Sequence, residues 1–490
     1  MKKIKIVLLI FVVSAIAISC GNQSLEKVND FEPKYNNSER RQELAEIAVI
    51  GNYILTENEV SSSLLSFLSS KNTTENRAAV AERYKIALID SEKISLPNVN
   101  LPKNRSVSIK EYDDTTFYLY QYSDNYTEEA GYALLSNDRR IGEILAVLDD
   151  NSDFNEDISD SPFMQFFCMN LENYVEQTSE IWNSLTDDDL IKARSSISDI
   201  VSSKKYNYSI IGYNYGNISN LLTTKWDQSN PYNSAISSIK GAEYPTGCTA
   251  TAMCQIMAFY EYPKICTGTI KNELNKNWGP ASNWDGNYDW KIMKSMPKAK
   301  NLSSTGRMMV GSLMYQIAEE LESNYGSNGT GVAIEKNAPY LRRLGYQCDE
   351  FASYSFDLAK KSIDNGCPVF IVGWSTKILK EHKFLWWHWE TVERYSDGHT
   401  WVIDGYYNMK CTATNRNDST DIQTFTTDFV HCNIGWGGAK DGYYADRIFA
   451  TTRGPVVEEV KIESDARSTV KFGGFIYNLI MITNIQPKKS

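Results

Sequence analysis

Cys248 follows a glycine and opens a run of small and apolar residues in "EYPTGCTATAMCQIMAFYEYP" (243–263). The run predicts a buried helix that begins at Cys248 and ends before Pro263. The first N–H groups of a helix lack partners and its dipole favours negative charge, so a thiol placed there ionises more readily. Cys248 is therefore a candidate nucleophile, although a small buried cysteine also serves as an ordinary packing residue.

A cysteine nucleophile needs a base, and the chain has only four histidines. His399 precedes the alternating, strand-like part of "DGHTWVIDGYYN", where it can face a cleft. It follows Cys248 by 151 residues, close to the interval in papain-like enzymes. For the others we expect a structural or surface role at His388, solvation at His382 and local hydrogen bonding at His431. His399 is thus the predicted base.

Two polar residues could complete such a site. Gln228, in "LLTTKWDQSNPYN", lies twenty residues before Cys248 and could join the Cys248 N–H in binding an oxyanion. Asn433, in "HCNIGWGGAKDGYY", could orient the imidazole. Each also has a plainer interpretation, because Gln228 could be a surface residue and Asn433 could cap its glycine-rich turn.

Composition narrows the class of protein. The chain has 490 residues, enough for two or three domains, and 42% of them are hydrophobic, as in a folded globular protein. Its 61 acidic and 50 basic residues give a net charge of −11, without a basic stripe, so we expect no nucleic-acid partner. The cysteines form no paired C-x-x-C motif, so neither a zinc ribbon nor a redox motif is indicated.

The N-terminus predicts export. "MKKIKIVLLIFVVSAIAISCGNQS" has a basic start, a short apolar run and small residues before Cys20, which is typical of a signal peptide (1–19) and too short for a comfortable membrane span. Cys20, between "AIS" and glycine, resembles the lipidated cysteine of a bacterial lipoprotein, with Ala17 where a larger aliphatic residue is usual. We therefore expect a cell-envelope lipoprotein (outer membrane or surface), or a protein secreted after processing, whose membrane contact is limited to the lipid. A soluble secreted protein with a chance Cys20 is the alternative.

The remaining chain divides into four parts. Residues 20–40 are polar and predict a tether. Residues 40–185 predict a compact α+β unit, with strands within 117–148 forming a small antiparallel sheet and a helix that starts at Pro162 after a Ser161 cap. Residues 185–206 predict an exposed linker, which a protease could cut at Lys204-Lys205. The rest, from 206, predicts one large domain or two packed lobes.

Four motifs, "KWDQSNPYN", "TGCTATAMCQIMAFYEYP", "GHTWVIDG" and "CNIGWGGAKDGYY", occur in this order and together resemble the streptopain family of bacterial papain-like cysteine peptidases. Upstream, "GYALLSNDRRIGEILAVLDDN" and "LENYVEQ" resemble the inhibitory propeptide of that family. The resemblance spans roughly 115–487. It implies an α+β fold in which a papain-like peptidase domain over 206–490, with a helical lobe and an antiparallel β lobe, follows a small α+β propeptide domain over 41–205.

The resemblance also implies a role for five side chains around one cleft: Cys248 as nucleophile, His399 as general base and acid, Gln228 as oxyanion donor, Asn433 as orienter of His399 and Trp436 as a wall of the substrate site. The family commonly has an aromatic residue where this chain has Ile434. The implied reaction is endopeptidase cleavage of protein or peptide substrates through an acyl-enzyme, with the propeptide as intramolecular inhibitor and with no cofactor or metal.

Two other classes of function use parts of the same pattern. The same chemistry on another amide would make the chain a peptidoglycan amidase or a transglutaminase, although no cell-wall-binding repeat is evident. A catalytically inactive surface lipoprotein that binds a host or matrix protein is the other alternative. The presence of all four candidate catalytic residues argues against it.

Overall fold

A computed structural model describes residues 37–51, 53–70, 82–94, 115–127, 129–150, 162–196, 208–218, 220–326, 329–376, 381–384, 387–390, 396–415, 418–449 and 478–488. The predicted signal peptide, Cys20, most of the tether, Ser161 and Lys204-Lys205 lie outside these ranges. In the part of the chain that is described, no helix combines the length and apolar content needed to cross a bilayer.

The helices fall in two groups. An N-terminal group consists of α1 (Asn37–Ile50), α2 (Glu57–Ser70), α3 (Pro162–Asn183) and α4 (Asp187–Ser196). The second group consists of α5 (Ser234–Lys240), α6 (Cys248–Tyr260), α7 (Gly268–Asn277), α8 (Trp290–Met293), α9 (Ser304–Glu320), α10 (Asn337–Arg343), α11 (Phe356–Asp364) and α12 (Asp446–Phe449).

Seventeen strands lie in the described ranges. They are β1 (Tyr84–Ile94), β2 (Thr115–Asp124), β3 (Ala130–Ser136), β4 (Ile144–Leu148), β5 (Tyr208–Ile218), β6 (Asn324–Gly326), β7 (Gly329–Gly331), β8 (Tyr346–Gln347), β9 (Ala352–Ser353), β10 (Val369–Thr376), β11 (Glu381–Phe384), β12 (Trp387–Glu390), β13 (Ser396–Asn415), β14 (Asp418–Asn433), β15 (Gly442–Ala445), β16 (Asn478–Ile482) and β17 (Gln486–Pro487).

Eleven of these strands form one antiparallel sheet in the order β1-β2-β3-β4-β15-β14-β13-β10-β16-β9, with β5 also paired to β13. The N-terminal strands were predicted to form a small antiparallel sheet within the α+β unit. Instead, β4 pairs with β15, and Leu148 lies opposite Gly442. All five residues of β4 are buried, so the strand needs a neighbour on each edge to satisfy its backbone groups.

The part of the sheet formed by β10, β13 and β16 is covered on both faces. Alternate residues of each strand belong to two different cores, as the period of two in a strand requires. One core contains Phe370, Val372, Val402, Ile480 and Ile482 together with the helices of the second group. The other contains Ile371, Trp401, Ile403 and Met481 together with residues of the N-terminal unit, which we define as residues 37–196. The predicted α+β fold with a helical lobe and an antiparallel β lobe is confirmed.

The helix that begins with the candidate nucleophile is confirmed at its predicted start. Its residues from Thr249 to Ala258 are all buried, and it packs between β13 and α9. The preceding Gly247 has φ of 91°, and a Cβ atom there would lie 2.8 Å from the Thr330 carbonyl oxygen. Only glycine fits this turn without strain.

The predicted linker is partly wrong, because α4 (Asp187–Ser196) lies within it. Thr186 and Asp189 form a reciprocal cap, in which the Thr186 N–H donates to Asp189 Oδ2 at 2.7 Å and the Asp189 N–H donates to Thr186 Oγ1 at 3.3 Å. Leu190 and Ala193 are buried against α1. Two buried apolar side chains and a cap thus hold this helix in a segment that has few large apolar residues. Helix α1 begins at Asn37, within the last residues of the predicted tether (20–40).

We expect Gly131→Ala to lower the free energy of unfolding by about 1–3 kcal/mol or more, because overpacking in a dense core is destabilising. A Cβ atom at Gly131 on β3 would overlap the Leu148 carbonyl oxygen, which already accepts a hydrogen bond from Tyr122 Oη at 2.7 Å. The thermal midpoint, followed by circular dichroism, measures the effect. Gly268→Ala is the control, since no atom lies within 4 Å of a Cβ there; equal midpoints for the two variants would contradict the close packing at Gly131.

Candidate active site

Cys248 and His399 meet where the start of α6 faces β13. The imidazole lies close enough to the thiol to lower its pKa through charge and hydrogen bonding. Cys248 is half-buried, whereas the His399 side chain is only 3% exposed. Next to them, the hydroxyls of Thr249 and Thr400 lie 3.2 Å apart. The structure thus brings together two predicted residues that are far apart in sequence.

The surroundings of Cys248 favour the thiolate. Burial by itself would raise the pKa of this thiol, but the hydrogen bond and charge of His399, together with the N–H and hydroxyl of Thr400, lower it from 9.0 to about 7. Cys254, on the same helix, has its pKa raised well above 9.0 by burial. The contrast between the two thiols follows from the partners that β13 supplies to Cys248.

A backbone carbonyl orients the imidazole. His399 Nε2 lies 2.9 Å from the Ile434 carbonyl oxygen, and because a carbonyl can only accept, Nε2 must donate. Nδ1 is then the ring nitrogen left to face the sulfur of Cys248. This contact was missed in the sequence, because every residue has a carbonyl group and the side chain at 434 does not indicate its direction.

Asn433 does not contact the imidazole as predicted. Its Oδ1 accepts from Gln255 Nε2 at 2.7 Å and from the Gly435 N–H at 3.3 Å, and its Nδ2 donates to the Thr224 carbonyl at 2.9 Å. Both ends of the amide are therefore occupied by other groups. The expected direct hydrogen bond is replaced by that of the neighbouring Ile434 carbonyl.

Aromatic rings surround His399. The Trp436 ring lies beside the imidazole, with centroids 4.9 Å apart and planes at 45°. Trp401 stacks on it at 6.1 Å with an interplanar angle of 12°. Phe163, from α3 of the N-terminal unit, approaches it edge-on at 6.1 Å. Trp436 was predicted to wall the site, whereas nothing in the sequence indicated that Phe163 would reach it.

Gln228 lies beside the segment that leads into α6. Its carbonyl accepts from the Thr246 N–H at 3.0 Å, two residues before Cys248. Its own N–H donates to Asp227 Oδ1 at 2.5 Å, and its side chain is half-buried. The backbone of the predicted oxyanion donor is therefore fixed close to the nucleophile.

His431 forms a second ionic centre, on β14. Its Nδ1 lies 2.6 Å from Asp404 Oδ1 and its Nε2 lies 2.9 Å from Asp149 Oδ2. Both carboxylates can only accept, so both nitrogens donate and the ring is a cation. Burial opposes this charge, yet the two carboxylates raise the pKa of His431 to about 10. Local hydrogen bonding was predicted here, and the partner from the N-terminal unit, Asp149, was not.

Part of the chain matches a known peptidase family. Residues 226–444 match the profile of the Peptidase C10 family. Streptopain of Streptococcus pyogenes is 26% identical over 405 residues, covering 80% of this chain and 85% of that protein. The thiol protease/hemagglutinin PrtT of Porphyromonas gingivalis is 24% identical over 241 residues, which are 45% of this chain and 22% of that protein.

Among solved structures, a fragment of Prevotella intermedia prointerpain A matches with a TM-score of 0.43 and 19% identity, covering 82% of this chain and 100% of the fragment. The active interpain A of the same organism matches with a TM-score of 0.32 and 22% identity, over 54% of this chain and 94% of that structure. The matched segment 226–444 contains both Cys248 and His399, and the similarity to streptopain extends over most of both chains. The segment 226–444 is thus similar to the Peptidase C10 family, and the comparisons support a papain-like cysteine peptidase.

Proposed function

We propose that the chain is the zymogen of an exported cysteine endopeptidase in which Cys248 and His399 form the catalytic dyad. The observation that carries this proposal is a thiol whose pKa is lowered to about 7 by the imidazole beside it. That imidazole is itself held through Nε2 by the Ile434 carbonyl. A catalytic thiol with a pKa near neutrality is extensively ionised at the pH where peptidases commonly work.

The reaction starts from the thiolate of Cys248 and the imidazolium of His399. The sulfur attacks the scissile carbonyl, and the Cys248 N–H and the Gln228 amide bind the oxyanion that forms. His399 gives a proton to the leaving amine and then removes one from the water that hydrolyses the acyl-enzyme. Trp436 limits the access of solvent to the imidazole. Asn433 acts only indirectly, through its neighbours.

We expect a full-length Cys248→Ala precursor to purify intact, while the wild-type precursor converts to a fragment of roughly 285 residues by cleavage in or near the predicted linker. Loss of the sulfur removes the nucleophile without adding bulk. Gel electrophoresis and intact mass follow the conversion over time. Cys254→Ala, which truncates a buried thiol on the same helix, is the control for altered packing and should still convert. Equal rates of maturation for Cys248→Ala and the wild type, with no other protease added, would refute self-processing.

Contacts of the N-terminal unit support its proposed role as inhibitor. Phe163 lies against His399 and is fully buried. On α2, Phe67 packs against Tyr407 and Phe429 with ring centroids 4.9 and 5.3 Å apart. The unit therefore covers the sheet face that carries the imidazole. A substrate chain could reach this side of the site only after the unit moves away.

Ion pairs add to this contact. Asp149 pairs with the His431 cation, and Glu43 of α1 pairs with Arg447 of α12 at 2.7 Å. Burial would raise the pKa of Glu43, but Arg447 and Arg40 lower it to about 2. At neutral pH the N-terminal unit thus contributes carboxylates to cations of the peptidase domain. Such pairs favour one orientation of the unit on the peptidase domain.

We expect Asp149→Asn to weaken this attachment in a pH-dependent way. Asp404 and Asp149 together raise the pKa of His431 to about 10, against the effect of burial. The share of stability that comes from Asp149 is complete below the pKa that His431 has without Asp149, and it is lost as pH rises through about 10. The other ionisable groups around His431 are Asp404, Asp441 and Tyr443. These groups are unchanged in the variant.

Thermal midpoints of full-length proteins in the Cys248→Ala background, measured from pH 7 to pH 10, test this expectation. Asp149→Asn should melt several degrees below its parent at pH 7, and the difference should shrink towards pH 10. Asp188→Asn, which removes a charge from an exposed position on α4, is the matched control and should show a small, constant difference. A deficit for Asp149→Asn that does not change with pH would exclude the charge of His431 as its cause.

The proposal includes export with a lipid on Cys20, which rests on the signal-like N-terminus. In a bacterial host grown with labelled palmitate, we expect the wild type to incorporate label and to fractionate with membranes. Cys20→Ser should lose both properties, because it lacks the thiol that carries the lipid. Cys348→Ser is the control for loss of another cysteine. Labelling that persists in Cys20→Ser would disprove this site of modification.

A further inference from the structure

A buried glutamine on the nucleophile helix connects three segments of the site. Gln255 lies two turns after Cys248 on α6 and its side chain is 0% exposed. Its Oε1 accepts from Thr224 Oγ1 and from the Trp226 N–H, both at 3.1 Å. Its Nε2 donates to Asn433 Oδ1 at 2.7 Å. One amide therefore joins α6 to the segment before Gln228 and to the end of β14.

The hydrogen bonds continue from Asn433 to the imidazole. Asn433 Oδ1 also accepts from the Gly435 N–H at 3.3 Å. That N–H belongs to the same peptide group as the Ile434 carbonyl, which accepts from His399 Nε2 at 2.9 Å. The peptide group that orients the imidazole is thus held at its other end by Asn433, and Asn433 is held by Gln255.

Each of these groups is buried, and an unpaired polar group in a buried position costs about 1–3 kcal/mol. The set therefore has one arrangement that satisfies its members. A shift of Asn433 would displace the Ile434 carbonyl, and a catalytic group displaced by about 1 Å can lose roughly 100-fold in rate. Because α6 carries both Gln255 and Cys248, the same helix determines where the sulfur lies and where the imidazole is held.

We propose that Gln255 is a positioning residue of the peptidase: acting through Asn433 and the Ile434–Gly435 peptide group, it fixes the orientation of His399 relative to Cys248. This inference rests on the proposed dyad. It assigns Gln255 an effect on the chemical step rather than on substrate binding, since the hydrogen bonds of its amide go to Thr224, Trp226 and Asn433. It also gives Asn433 an indirect role in place of the predicted direct one.

Gln255→Glu tests the inference with little change in shape. The carboxylate retains an acceptor for Thr224 and Trp226, but it cannot donate to Asn433 and places a second oxygen against Oδ1. We expect kcat at pH 8 to fall about 10- to 100-fold with KM within about twofold of wild type. The loss of kcat relative to the wild type should be smaller at lower pH. Burial raises the pKa of a glutamic acid, and the protonated group can donate to Asn433 again.

The matched control is Gln316→Glu on α9. Gln316 is also 0% exposed, and its Oε1 accepts from Tyr288 Oη at 2.9 Å, so the substitution makes the same chemical change at the same burial in the same lobe. We expect a comparable drop in thermal midpoint, with kcat within about twofold of wild type and an unchanged pH profile. A kcat for Gln255→Glu no lower than that of Gln316→Glu, or a loss without recovery at lower pH, would overturn the inference.

Gln255→Met provides a second test if the glutamate variant does not fold. It removes the amide without adding charge, and we expect kcat to fall with no recovery at lower pH; wild-type kcat would contradict the proposal. All variants are expressed full-length, processed by affinity-tagged wild-type enzyme that is then removed, and assayed on one peptide substrate. Cys248→Ala, prepared in the same way, distinguishes a failure of the proposed dyad from a failure of the proposed role of Gln255. Activity in Cys248→Ala refutes the dyad, whereas an inactive Cys248→Ala with a fully active Gln255→Glu refutes only the role of Gln255.

Discussion

The structure depends on a sheet that must bury both of its faces. Along β10, β13 and β16, successive side chains enter different cores, one shared with the helical lobe and the other with the N-terminal unit. A strand that is apolar on both faces is stable only when each face is covered. The helical lobe and the N-terminal unit, on either side of the sheet, are therefore coupled through the same strands. Neither can be removed without exposing apolar residues of the peptidase domain.

The active site uses this alternation. His399 and Trp401 lie on the sheet face that is turned towards the N-terminal unit. Thr400, between them, lies on the opposite face and contacts Thr249 of the nucleophile helix. Neighbouring residues of one strand thus serve both sides of the sheet at the point where the helical lobe meets it. The imidazole itself interacts with both the thiol of Cys248 and the ring of Phe163.

Much of the site could be predicted from local pattern. The positions of Cys248 at the start of a helix and of His399 near the start of a strand could be predicted, because each position depends on a few neighbouring residues. The hydrogen-bond partner of His399 could not be predicted from the sequence, because it is the backbone carbonyl of Ile434. Asn433 was predicted to orient the imidazole, but its side-chain oxygen accepts from Gln255 instead. Gln255 was overlooked because a single polar residue in an apolar helix gives no sign of its partners. The pairing of β4 with β15 joins residues almost three hundred positions apart. It was missed because the sequence of a strand indicates which of its residues are buried more clearly than which strand it pairs with.

That pairing has a consequence for any shortened form of the chain. Loss of the N-terminal unit would turn β15 from an internal strand into an open edge, whose N–H and C=O groups are then available to another strand. β15 has only four residues and begins with a glycine, so it can form few backbone hydrogen bonds with an added strand. A short edge of this kind limits unwanted association between copies.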